Sequence, residues 1–268
     1  MSFLYPSPIG HLPNRTKPER GTIMATIKVK GIILAENNMG DYDKMVTMLT
    51  PNLGKISCAA KGARRPNSSL LAGTQLFCFG DYLLYQGAST YHINSCETIE
   101  LFYPIRTDLD KLKYAIHINK IIFETTEENE NCYRILQLLL NTLYMISETD
   151  QDLDFILSVF KLRLLCLLGY TPRVNGCVRC QNKEQLTHFS LRDNGFICEP
   201  CSKTDKSAMN MLESTKLAIQ YVATAPPKKL YSFQLKEEAS AEFKLIIKVF
   251  FDEKMEKQYR VDELFSKS

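Results

Sequence analysis

No stretch of this 268-residue chain approaches about eighteen uninterrupted apolar residues, which excludes a transmembrane helix. The first 23 residues hold four prolines and no apolar run of the roughly 7 to 15 residues that a secretory signal requires. They are expected to be a disordered extension, with Met24 as an alternative start. Several catalytic signatures are also missing. The Gly54-Lys55 pair lacks the preceding glycine and the adjacent hydroxyl of a P-loop, and there is no dinucleotide fingerprint. No GxSxG, HExxH or Cys-His motif for nucleophilic catalysis is present. The sequence does not read as an enzyme.

The most local absence is of negative charge. From Lys44 to Gly80 there is no acidic residue, whereas the chain average of 30 acids in 268 predicts about four in such a window. Lys44, Lys55, Lys61, Arg64 and Arg65 are the basic residues of that window, although the net charge of the whole chain is only +3. The turn Lys61-Gly-Ala-Arg64-Arg65-Pro concentrates the charge. Arginine suits bidentate phosphate contact and stacking on bases. Base stacking needs exposed aromatics, for which Tyr42, Tyr82, Tyr85 and Tyr91 are candidates. Asp41 and Asp43 stand two residues apart, but without a third acid or a histidine partner a turn role is favoured over two-metal nuclease chemistry.

Nine cysteines is an odd number, which argues against a disulfide framework and for a reducing compartment. Cys58, Cys78, Cys96, Cys132 and Cys166 stand alone among apolar neighbours and read as small buried hydrophobes. The other four form Cys177-x-x-Cys180, a gap of 17 residues, then Cys198-x-x-Cys201. Two such turns supply four soft thiolates in the tetrahedral set that Zn2+ accepts, with no open position for water or substrate. One structural zinc is expected. His188 is the only histidine nearby and is expected at the surface or beside the ligands.

Between Ile27 and Leu101 five strand-like runs alternate with turn signals, which argues for a small barrel, most economically a partly open Greek-key barrel of the OB type, with an SH3-like barrel as the alternative. After Pro104 the apolar period becomes helical. Asp108, Asn131, and Asp150 or Asp152 are candidate caps for three helices, the last stopping at Gly169; two further helices are expected over 208–223 and 237–257. The expected fold class is α+β and multidomain. An OB-fold barrel is expected over 24–104, a helical domain over 105–173 and 206–258, and a four-cysteine zinc finger inserted at 174–205.

Order and motifs then converge. The segments GDYDKMVTMLT, KGARR and LRLLCLLGYTP, with the cysteine quartet directly after, together resemble the RecO family of bacterial DNA repair proteins over about residues 24 to 250. The resemblance implies an OB domain, a helical domain and a zinc-finger element acting without catalysis as a recombination mediator. Such a protein binds single- and double-stranded DNA, anneals complementary strands, engages the C-terminal tail of single-strand DNA-binding protein (SSB), and with RecR helps load RecA. It also implies a cytoplasmic, nucleoid-associated location with no membrane partner. By this resemblance Lys61, Arg64 and Arg65, with Lys55 beside them, are the DNA-contacting positions. Four neutralised phosphates predict roughly a 50-fold loss of affinity between about 50 and 200 mM salt. The competing reading is a zinc-ribbon scaffold or transcription-associated protein that does not bind DNA.

Overall fold

The computed structural model describes residues 26–87, 90–259 and 261. The expected extension over residues 1–23 lies outside them. Alternation of apolar and polar residues produces β1 (Thr26–Met39), β2 (Asp43–Thr50), β3 (Gly54–Ala60), β4 (Phe79–Gln86) and β5 (Tyr91–Glu100). Successive strand side chains point to opposite faces. Ile33, Val46, Met48, Ile56, Cys58, Tyr82, Leu84 and Ile93 accordingly fill the interior of the sheet. Ile32, Leu34, Leu49 and Phe79 face the other way, into the core shared with the helices.

Helices follow: α1 (Tyr103–Thr107), α2 (Leu109–Thr125), α3 (Tyr133–Glu148) and α4 (Leu153–Leu167). The Asp108 carboxylate accepts from the backbone N–H of Asp110 and Lys111. That of Asp152 accepts from Asp154 and Phe155, so Asp152 rather than Asp150 caps α4. Asn131 accepts from Tyr133 N–H at 3.2 Å at the start of α3. Each cap satisfies donors that the first helical turn leaves orphaned. The chain then forms β6 (His188–Ser190), β7 (Gly195–Ile197), α5 (Glu199–Ser202), β8 (Ala208–Asn210), α6 (Glu213–Thr224) and α7 (Glu237–Lys254). Among the described residues no helix is long and apolar enough to cross a membrane.

The fold-class expectation needs correction. In place of a partly open Greek-key sheet, the strands run β1-β2-β3-β5-β4 and β4 returns to β1, a closed ring. Its β3–β5 junction is parallel and only two residue pairs long, Cys58 with Tyr91 and Ala59 with His92. Sequence spacing carries no signal for such a pairing, because β3 and β5 are separated by a whole strand and a long loop. One apolar core takes in Ile32, Leu49 and Phe79 of the sheet, Leu139 and Phe160 of the helices, and Phe189 and Phe196 of the cysteine segment. That segment has its own three-stranded sheet, in the order β7-β6-β8. Residues 208–210, read from sequence as the start of a helix, are its third strand, and the helix begins at Glu213.

Of the five isolated cysteines, Cys58, Cys78 and Cys132 are buried, whereas Cys96 and Cys166 are half-buried. Burial pushes the Cys58 thiol up to about 12, so it is inert packing.

Candidate nucleic-acid interface and metal centre

The basic turn follows β3 directly. Gly62 adopts φ +66°, a left-handed conformation that glycine takes without steric cost, and its N–H donates to Asp43 Oδ1 at 2.7 Å. Arg65 N–H donates to the Gly62 carbonyl at 3.1 Å, and Arg64 N–H to the Tyr42 carbonyl at 2.9 Å. These bonds pin the turn against the β1–β2 hairpin. They also give Asp43 the turn role favoured from sequence, since one of its oxygens is engaged in holding the backbone. Lys61, Arg64 and Arg65 are exposed, and among the described residues none of the three forms an ion pair.

Arg65 lies over the Tyr42 ring, 5.4 Å from guanidinium carbon to centroid. Tyr42 is 52% exposed, so one face of an arginine–aromatic pair meets solvent. The other candidate platforms are engaged in packing. Tyr82 is fully buried and donates to the Gly73 carbonyl at 2.7 Å. Tyr85 stacks on His92 at 4.7 Å, and Tyr91 packs against the interior of the sheet.

Lys55 is not brought to this turn. It sits at the opposite end of β3, about 20 Å along the strand at the usual rise per residue. Gly54 before it, at φ +68°, lies against the backbone of Glu127. Lys55 N–H donates to the Glu127 carbonyl at 2.9 Å, and its ammonium donates to the Phe123 carbonyl at 2.5 Å while standing 4.4 Å from the Phe123 ring centre. Lys44 is also occupied, paired with Glu36. The five-residue basic window thus resolves into one exposed cluster of three and two residues held elsewhere.

In the cysteine segment the Sγ atoms of Cys177, Cys180, Cys198 and Cys201 all lie within 4.8 Å of one another. The Cys180 and Cys198 sulfurs are 3.6 Å apart. A metal at about 2.3 Å from each sulfur in a tetrahedron requires sulfurs roughly 3.8 Å apart, so the quartet has the chemistry and the spacing to hold a metal ion. Burial opposes ionisation of Cys177, but backbone N–H groups of Cys180, Cys198 and Arg179 outweigh it and draw its pKa below the ordinary thiol value. Its neighbours then push Cys201 the other way, the Cys198 thiol foremost. Those backbone N–H groups thus favour the thiolate at Cys177, the form in which a cysteine binds a metal.

Arg179, between the first two cysteines, is a supporting residue that the sequence reading missed. Its guanidinium donates to Asp193 Oδ2 at 2.7 Å, to the Cys201 carbonyl at 3.2 Å and to Thr204 Oγ1 at 2.8 Å. It also pairs with Asp205 at 3.2 Å. Burial would raise the Asp205 pKa, but hydrogen bonds from Ser190, Ser207 and Arg179 hold it well below the usual carboxylate range. This lattice ties the first cysteine turn to the second. His188 is half-buried beside Thr187 Oγ1, at 2.8 Å, and does not join the quartet.

Comparison with known proteins places the chain. Residues 24–102 match the model for the N-terminal part of recombination protein O, and residues 106–263 match that for its C-terminal part. The chain belongs to the RecO family. The DNA repair protein RecO of Acetivibrio thermocellus is 40% identical over 237 residues, 88% of this chain and 94% of the relative. The RecO of Bacillus subtilis is 32% identical over 226 residues, 84% and 88% respectively. That of Clostridium perfringens is 31% identical over 220 residues, 82% and 89%. Both RecO parts, the sheet with its basic turn and the helices with their cysteine segment, are thus represented.

Proposed function

We propose that this RecO-family chain is a non-enzymatic recombination mediator in DNA repair. It binds single- and double-stranded DNA, anneals complementary strands, engages the SSB C-terminal tail, and with RecR loads RecA onto SSB-coated single strands. The observation that carries the DNA-binding part is the turn Lys61-Arg65, which offers three exposed cations, none of them paired with a carboxylate among the described residues. A cationic surface lowers the repulsion between two polyanions and speeds their encounter, and base pairing then supplies the driving force. Annealing on this basis consumes no nucleotide. Tyr42 beneath Arg65 adds a face on which a base can stack. Lys55, the fourth position the resemblance names, is held on Phe123 at the far end of β3 and adds no phosphate contact in this reading.

In this reading Cys177, Cys180, Cys198 and Cys201 hold one Zn2+, whose contribution is to fix the fold of the segment, and residues 24–104 are the DNA-binding part. The protein acts in the cytoplasm, on the nucleoid. The test is annealing of complementary oligonucleotides precoated with SSB, with and without the chain. Acceleration that persists without ATP supports the mediator role; no acceleration refutes it.

A further inference from the structure

The ring of strands has a mouth beside the basic turn. In an antiparallel pair, residues directly opposite one another share a face. Glu36 stands opposite Val46, and Asn38 opposite Lys44. Glu36, Asn38 and Lys44 therefore project on the interior face, at the end of the ring where Val46 is the last large apolar side chain of β2. In the loop after β3, Leu70 is buried with the interior residues, whereas its neighbour Leu71 is 38% exposed. A pocket of about 630 Å3 lies here, lined by Glu36, Asn37, Asn38, Lys44, Arg64 and Leu71.

Charge within the pocket is largely balanced. Lys44 is paired with Glu36. Arg64, at the rim, uses one of its several N–H donors on the Gly40 carbonyl at 3.2 Å and keeps the rest. The exposed side-chain amide of Asn38 makes no hydrogen bond among the described residues. The pocket thus combines an apolar surface, an amide that can both donate and accept, a neutralised ion pair and one cation at its edge. A nucleobase has the matching parts: an apolar face, an edge of donors and acceptors, and a phosphate attached through the sugar. Asparagine and lysine meet purine edges, a carboxylate meets the cytosine amino group, and an apolar side chain meets the thymine methyl, so this lining tolerates any base. The volume falls within the range of about 300–1,000 Å3 usual for small-ligand sites.

We propose that this pocket receives one unpaired base of a single strand whose phosphate lies on Arg64, the base packing on Leu71 and its edge meeting the Asn38 amide. The inference rests on the reading of the turn as the grip on DNA, and adds to it a contact that only an unpaired strand can make. The bases of a duplex are held inside by pairing, so a duplex meets the cations alone. The pocket therefore biases the interface towards single strands. Pairing withdraws the base from it, so the annealed product is held less tightly than either strand.

The test is fluorescence anisotropy of the full chain with three probes: a thymine homopolymer, an abasic strand of the same length, and a blunt duplex. In the Leu71→Ser, Asn38→Ala variant the thymine strand is expected to bind about fivefold more weakly. Its salt slope should stay that of the parent, because no charge has been removed. Binding of the abasic strand and of the duplex should not change. Leu71→Phe enlarges the apolar surface and is expected to tighten the thymine strand alone. Parental affinity for the thymine strand in both variants overturns the proposal, as do equal effects on all three probes. If the parent chain binds no probe at all, the DNA-binding reading fails first and this inference falls with it.

Discussion

The exposed turn makes a quantitative claim about salt. Three cations, Lys61, Arg64 and Arg65, are free to neutralise phosphates, while Lys55 is drawn onto Phe123 and Lys44 onto Glu36. For single strands the slope of log affinity against log salt is about 0.7 per phosphate, so three contacts give about 2.1. A fourfold rise in salt, from about 50 to 200 mM, then weakens binding about 18-fold, not the roughly 50-fold that four contacts imply. Replacing Arg64 and Arg65 by alanine leaves one contact and a loss of only about 2.6-fold over the same range. Fluorescence anisotropy with an unstructured oligonucleotide at several salt concentrations reads this directly. Lys55→Ala is expected to leave the slope unchanged. If the double arginine variant keeps the parent slope, the turn is not the grip; if Lys55→Ala flattens it by as much as an arginine does, the separation along β3 does not matter.

Cys177→Ser is expected to lower zinc in reduced, tag-free protein from one equivalent towards none and to loosen the segment around β6 and β7; a variant that retains a full equivalent refutes the four-thiolate site. Phe250→Ala removes a fully buried ring that meets Phe189 edge to face at 5.1 Å, and should cost about 3–5 kcal/mol in denaturant unfolding while speeding zinc loss to a chelator. No change in chelation rate would mean that α7 does not brace the cysteine segment. His117 is buried, its Nε2 lacks a hydrogen-bond partner among the described residues, and burial with nearby Lys161 and Lys120 lowers its pKa to about 3. The unfolded chain takes up a proton below about 6.5 and the folded chain does not, so stability is lost as pH falls from about 6.5 towards 3. His117→Leu should flatten that dependence in urea titrations between about pH 7 and 4; an unaltered dependence rejects the assignment.

Much of this was legible because period and punctuation agree locally. The runs around Ile32, Val46, Ile56, Tyr82 and Ile93 alternate, and each falls within a strand. Asp108 and Asp152 announced helix starts by the one chemistry that serves there, a short side chain accepting from free N–H groups. The cysteine quartet was legible as well, since each Cys-x-x-Cys turn pairs two sulfurs, although it is the fold that brings the two turns together. What escaped depends on contacts distant in sequence. The loss of Lys55 from the basic cluster follows from Phe123, 68 residues away. The role of Arg179 needed Asp193 and Asp205 to be placed around it. Three-residue strands such as β8 are too short to show any period, and their pairing is set by the partner strand.

The seam between β3 and β5 has a kinetic consequence. With a mere pair of residues stitched on each side, it is where hydrogen exchange should first enter the ring, at the amides around Cys58 and Ala59. Lys61 comes immediately after that edge, so each brief unzipping slackens the anchorage of the cationic turn. A polyanion held across the turn would, by the same linkage, slow the unzipping, and its presence would register as added protection of the amides at Cys58 and Ala59.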